Sequence, residues 1–231
     1  MKFIYPQYSI ETKHRASSVY KTIADCARTC RKFTYHKSQL KSETSNNQTT
    51  SDQNFVKNLI RLGHLSAIEH VSWTVRLTID RATSHELVRH RLASYSQISQ
   101  RYINKKENDI TFIIPHWCLH VKPSSSDLEN TAGSVTSAEF IWMQQLARAE
   151  AAYNRLIQNE EFFVEDARGV LPNATATEIV VTANAREWLH IFYLRCSPKA
   201  HPDMRNIMNQ VKAYFSTNYP IIFGESNGTA Q

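Results

Sequence analysis

Five glycines in 231 residues constrain this chain more than any other feature. That is about 2%, against roughly 7% in average proteins. Gly63, Gly133, Gly169, Gly224 and Gly228 stand too far apart to build a G-x-G-x-x-G turn or a Walker loop. Any nucleotide must therefore be held by side chains, helix ends and ordinary backbone, and Rossmann and P-loop folds are not expected. The length lies near the point, about 250 residues, where one hydrophobic core stops growing, so residues 1–231 read as a single domain.

The 27 Lys and Arg outnumber the 21 Asp and Glu, giving a net charge of +6 that suits nucleic acid, acidic lipid or phosphorylated metabolites. No apolar run approaches the roughly 20 residues needed to span a bilayer. The segment from Met1 to Ile10 lacks the apolar stretch of a secretory signal, so the sequons at Asn47, Asn173 and Asn227 are not expected to be used. The expected compartment is reducing and cytoplasmic. Cys26 and Cys30 are four apart while Cys118 and Cys196 stand alone, which matches neither a redox pair nor zinc knuckles. All four read as structural thiols.

Hydrophobic periodicity predicts a strand over Lys2 to Tyr8 and a helix over Ala16 to Arg31. From Lys37 to Asn54 only Leu40 is apolar, predicting a polar loop. Helix resumes at Phe55 to Leu62. Val71 to Ile79 alternates at the period of a half-buried strand. Thr83 or Ser84 is placed to cap a helix running to about Leu92. A polar loop, a short strand at Thr111 to Ile114 and a Ser-rich linker from Lys122 to Ser134 follow. Helices are then expected from Val135 to Ile157 and from Glu161 to Arg168, with a strand over Glu178 to Ala183. Asn184 caps a helix from Ala185 to Arg195, and a last helix covers Met204 to Thr217, before a tail beyond 224. This order predicts an α+β fold with a small mixed, mainly antiparallel sheet flanked by long helices.

Chemistry concentrates between Glu86 and Tyr102, where Arg89, His90, Arg91, Arg101 and several hydroxyls occur without a lysine. Planar guanidinium forks bind phosphate bidentately, so the segment suits a phosphorylated ligand. A solvated basic helix end is the plainer alternative, because the helix dipole also favours cations there. On a helix of about 100° per residue, Arg89, His90 and Arg91 spread over about 200° of arc, so one ligand cannot use all three. Two ligands, or two subunits, could. Glu86 would share the side of Arg89 and His90, as a substrate acceptor or as an ion-pair partner.

Metal chemistry is not expected. His85-Glu86 and His90 resemble H-E-x-x-H, but the second His falls about 140° around a helix from the first. The segment His64 to His70 likewise misses H-x-x-E-H, since Ser66 occupies the first histidine position.

Arg89-His90-Arg91, then seven residues, then Ser99 with Arg101 following, resembles the signature of flavin-dependent thymidylate synthases. The likeness extends to Gly63-His64, Ser66 and Glu69-His70 upstream. Downstream it takes in Ala167-Arg168, Val170-Leu171-Pro172, Asn184, Arg186 and Leu194-Arg195, and so covers most of the chain. It implies a homotetramer, with active sites shared between subunits, that converts dUMP to dTMP. The implied carbon donor is 5,10-methylenetetrahydrofolate, the reductant NADPH and the hydride carrier FAD. Neither nucleic acid nor membrane is then a partner.

Residue by residue, the resemblance implies that Arg89, His90 and Arg91 contact FAD, that Arg89 also touches dUMP, and that Ser66 lies beside the flavin. Gln97 would serve both ligands. The stretch through Ser99 and Gln100 to Arg101 would hold dUMP, with Arg101 and Arg168 at its phosphate and Glu86 near the nucleotide. Asn184, Arg186 and His190 would serve FAD; the last two share a helix face at i, i+4. Arg195 would be the activating residue, stabilising negative charge as uracil N3 loses its proton and C5 gains nucleophilicity. It sits about 140° around the helix from His190 and is expected to reach a different part of the site.

The chain departs from the family at Ala200-His201-Pro202-Asp203-Met204-Arg205, and Glu86 stands where some members carry Gln. Two other functions fit parts of the sequence. A basic RNA-binding module would use Tyr95 and Tyr102 as stacking platforms among the arginines. A cysteine-dependent thymidylate synthase would need an activated thiolate, for which Cys196 beside Arg195 is the candidate.

Overall fold

A computed structural model describes residues 1–29, 45–101, 110–123, 135–159 and 162–224. Cys30, residues 37–44 of the expected loop, Tyr102, most of the Ser-rich linker and the tail from 225 lie outside them. The described residues form two compact units, each assembled from separate stretches of chain. The first takes the described residues within 1–9, 76–89 and 95–180, and the second those within 10–75, 90–94 and 181–231. No helix among the described residues is long and apolar enough to cross a membrane.

The fold is α+β. Strand β1 (Lys2–Ile4) pairs in parallel with a later strand, Thr111–Ile113, placing Lys2 opposite Thr111. Strand β2 (Gln7–Ile10) belongs to a different sheet. The single strand expected from Lys2 to Tyr8 is thus interrupted at Tyr5-Pro6, where proline has no N–H to give a ladder. Strands β3 (Ser72–Asp80), β4 (Ala93–Gln97), β5 (Thr111–Ile113) and β6 (Ala176–Asn184) complete the set. The larger sheet, mainly antiparallel, has the order β2-β3-β6-β4. The alternation in β3 is realised: Trp73, Val75, Leu77 and Ile79 are buried and their neighbours are not. Each such buried side chain contributes about 1.5–3 kcal/mol. Strand β4 was not expected, because Ala-Ser-Tyr-Ser-Gln has no apolar alternation; its positions are half-buried or exposed.

In the first unit, helix α3 (Arg81–Leu87) follows β3 directly. Its N-cap is Asp80, whose carboxylate accepts from the Thr83 N–H at 2.8 Å, and not Thr83 or Ser84. A charged acceptor at the N-cap satisfies an orphan donor and the dipole together. The helix stops at Leu87, short of the expected Leu92, and the Tyr95 hydroxyl donates to the Leu87 carbonyl at 2.8 Å. Helix α4 (Ser137–Gln158) opens on a capping box formed by Thr136 and Glu139. A short α5 (Val164–Ala167) runs into a 3-10 turn, Arg168–Val170. Phe3, Phe112, Met143, Leu146 and Tyr153 lie in this unit's core.

In the second unit, helix α1 (Ala16–Thr29) packs on α2 (Ser45–Arg61). The start of α2 overturns the loop expected through Asn54. Its inward stripe reads Asp52, Val56, Leu59 and Ile60, so the helical period is present with a carboxylate in an apolar position. Asp52 is buried and accepts from Arg28 of α1 at 2.6 Å. Helix α6 (Ala185–Arg195) is capped by Asn184 as expected, at 2.9 Å to the Glu187 N–H. Helix α7 (Pro202–Asn218) precedes a short α8 (Pro220–Phe223). The Ala200 to Arg205 departure forms the start of α7, with His201 at the N-cap and Pro202 in the first turn. Trp73, Trp188, Phe215, Tyr219 and Phe223 stack into an aromatic core, with Trp73 and Tyr219 ring centroids 4.8 Å apart.

Candidate active site

The Arg89-His90-Arg91 motif lies in a turn, not on a helix. Val88 N–H closes on the Ser84 carbonyl and Arg89 N–H on that of Glu86, after which the chain leaves the helical path. These three side chains are therefore not spread around a helical arc. Their divergence has another cause: His90 is buried while Arg89 and Arg91 are exposed.

Within the second unit His90 meets three groups from α6. Arg195 Nε donates to His90 Nε2 at 2.9 Å. Glu187 Oε1 lies 3.3 Å from His90 Nδ1. The His190 ring stands edge-on to His90 with centroids 5.5 Å apart. Arg195 and His190, expected to point to different places, thus both lie against one imidazole. A side chain as long as arginine spans the angular gap that residue spacing alone implies. Burial first, then the charges of Arg195 and His190, lowers the His90 pKa to about 4, so the ring is neutral at pH 7. Burial raises the Glu187 carboxyl.

His90, Glu187 and His190 present ligand atoms all within 4.8 Å of one another, a spacing that a metal ion accepts. Spacing within single segments, His85 to His90 and His64 to His70, does not reveal this group, because His90 meets Glu187 and His190 from a separate element. Arg195 sets a guanidinium charge on the same His90 ring, which opposes a cation and suits a hydrogen-bonded relay. On α6, exposed Arg186 pairs with Glu69 at 2.7 Å, and the 3-10 turn Leu65–His70 that carries Glu69 and exposed Ser66 packs against α6.

The first unit holds a second group. Gln97 Nε2 donates to Ser84 Oγ at 3.0 Å and to Thr177 Oγ1 at 3.1 Å. Arg81 reaches Thr177 Oγ1 at 3.4 Å. Arg101 pairs with Glu165 at 2.9 Å, its N–H donates to Ser99 Oγ at 3.2 Å, and Arg168 Nε donates to the Glu165 carbonyl at 3.0 Å. Arg101 and Arg168 are thus brought together through Glu165. Desolvation and then the Arg168 charge lower the Arg81 pKa, meaning two guanidinium groups face each other's field. Such a pair favours an anion between or beside them. The Gln100 side-chain nitrogen is buried without a hydrogen-bond partner among the described residues. Glu86 is half-buried on α3.

Sequence reasoning named His90, His190, Arg195, Gln97, Arg101 and Arg168 but missed Glu187, Glu165 and Arg81. The first two were legible in part, since each precedes a named residue by three on a helix. Arg81 gave no signal beyond its charge. Cys196, the alternative nucleophile, has its thiol pushed up to about 11 by burial and is protonated at neutral pH.

Comparison with known proteins bears on what these groups do. The family described as thymidylate synthase complementing protein matches residues 15–221. A protein of Geobacter sulfurreducens named flavin-dependent thymidylate synthase is 36% identical over 176 residues, covering 74% of this chain and 68% of that protein. Proteins of the same name from Mycobacteroides abscessus and Mycobacterium avium are each 34% identical, over 182 and 184 residues, covering 78% of this chain and 72% of theirs.

Proposed function

The chain belongs to the flavin-dependent thymidylate synthase family, and from that premise we propose that it converts dUMP to dTMP. The carbon donor in this reading is 5,10-methylenetetrahydrofolate, and NADPH is the reductant. The observation that carries it is Arg195, a guanidinium held through Nε by the buried, neutral His90 of the Arg89-His90-Arg91 motif.

The donor set suits FAD. Its pyrophosphate calls for cations without a glycine loop, and exposed Arg89, Arg91 and Arg186 provide them, with the exposed His190 ring beside them. Ser66, His90, Gln97 and Asn184 complete the residues assigned to it. When bound and reduced, FAD supplies the hydride. For dUMP, Arg101 and Arg168 are the phosphate partners, joined by Arg81, while Glu86, Arg89, Gln97, Ser99 and Gln100 orient the nucleotide. The Gln100 nitrogen, which has no partner among the described residues, is a donor suited to such a ligand.

Arg195 stabilises negative charge on the uracil as the N3 proton leaves, which raises electron density at C5. A neutral His90 serves this better than an imidazolium, because only the neutral ring keeps a lone pair on Nε2 to accept from the Arg195 Nε–H. With its thiol protonated, Cys196 is not the nucleophile in this reading. The sites are shared between subunits of a cytoplasmic homotetramer in this reading.

An absorbance spectrum tests the proposal. Protein reconstituted with FAD should show a flavin band that NADPH bleaches and dUMP perturbs, and should form dTMP when methylenetetrahydrofolate is added. A colourless protein that ignores FAD and copurifies with nucleic acid would refute it and favour RNA binding.

A further inference from the structure

The polarity of the bond between Arg195 and His90 is set by chemistry. A guanidinium has no acceptor, so Arg195 Nε–H donates and His90 Nε2 must carry a lone pair. A neutral imidazole has one N–H, which then sits on Nδ1. That nitrogen faces Glu187 Oε1 at 3.3 Å.

Glu187 is itself unusual. It occupies the third position of α6, where a glutamate often folds back to close a capping box, as Glu139 does on α4. Here the backbone N–H of Glu187 takes the Asn184 cap, while its buried carboxylate is turned to His90 and, at 3.7 Å, to His190 Nδ1. Burying a carboxylate is unfavourable unless what it faces compensates. Two imidazole nitrogens do so in part, and burial still leaves the carboxyl raised.

We infer that Glu187 is a positioning residue: it holds His90 in the Nδ1–H tautomer, and through His90 Nε2 it sets the plane of the Arg195 guanidinium. Without the carboxylate, His90 is free to carry its proton on Nε2. That N–H would then oppose the Arg195 Nε–H, and the guanidinium would have to turn away. The consequence for turnover rests on the function proposed above, in which Arg195 faces uracil. The tautomer does not.

The test uses full-length protein labelled with 15N-histidine, with His90 assigned by its loss in His90→Gln. Wild type should show His90 protonated on Nδ1, and Glu187→Leu should shift it toward Nε2. In the FAD-loaded enzyme Glu187→Leu should lower kcat for dTMP about 10- to 100-fold, the range seen when a partner orienting a functional imidazole is removed. KM for dUMP and flavin content should stay near wild type. Glu187→Gln keeps an oxygen that accepts from Nδ1–H, so it should recover most of kcat and keep the tautomer.

An Nε2–H tautomer in wild type overturns the inference, a result that does not depend on any Glu187 variant folding. So does a Glu187→Leu protein with unchanged tautomer and kcat. A wild type that forms no dTMP, yet whose His90 tautomer follows Glu187, supports the inference while refuting the proposed activity.

Discussion

The group around His90 and the group around Glu165 use the same residue types in opposite ways. At His90 a neutral, buried ring receives one arginine through a bond of defined polarity. At Glu165 an exposed carboxylate pairs with Arg101, its backbone carbonyl accepts from Arg168, and the Arg101–Glu165 pair is open to water. Burial makes the first a device for orientation, because low dielectric strengthens each bond and penalises misplacement. Exposure makes the second a reservoir of positive charge, which is screened by salt and weakly tied to stability.

The contrast breaks most directly at Arg195. Arg195→Ala should cut dTMP formation about 10²- to 10³-fold, the usual loss for one preorganised donor, with flavin still bound. Normal turnover would remove the arginine from the reaction. Next is the pH dependence of stability. His90 has a folded pKa of about 4 against an ordinary 6.5. Between those values the unfolded chain binds a proton that the folded chain does not, so stability falls as pH drops from 6.5 toward 4 and levels off below. The loss is on the order of 3 kcal/mol. Glu187, raised by burial, acts in the opposite sense. Urea denaturation across this range should show a flatter profile for His90→Gln; equal slopes would mean that His90 does not titrate as a buried group.

Smaller effects belong to the exposed group. Arg101→Ala should raise KM for dUMP by about tenfold, as expected for one charge-assisted contact, and reduce the salt dependence of binding. Its melting temperature should hardly move, since exposed ion pairs contribute about 0–1 kcal/mol. A large drop in stability would make this group structural instead. The smallest effect is that of Cys196→Ala, which should keep wild-type kcat because the thiol is protonated. Lost activity with folding and flavin intact would revive a thiol mechanism.

How much was readable beforehand follows from the kind of signal each element carries. Apolar periodicity located β3, β6, α1, α4, α6 and α7, since burial on one face writes itself into spacing. It located only the second half of α2, from Phe55, because the inward stripe begins with Asp52 and depends on Arg28 from another helix. It failed at β4, which hides no alternating apolar face, and at the end of α3, where Tyr95 from a later strand satisfies the Leu87 carbonyl. The motif residues of the site were legible as chemistry. Their mutual contacts were not, because Glu187 and His90 are far apart in sequence and their meeting is a property of the fold.

Arg195 is assigned the lowering of a uracil anion's energy, and 15N NMR of dUMP labelled at N3, bound to the FAD-loaded protein, reads this directly across a pH series. The N3 proton should leave at lower pH in the complex than in free dUMP, and the shift should vanish in Arg195→Ala. Identical titration of bound and free dUMP would contradict it.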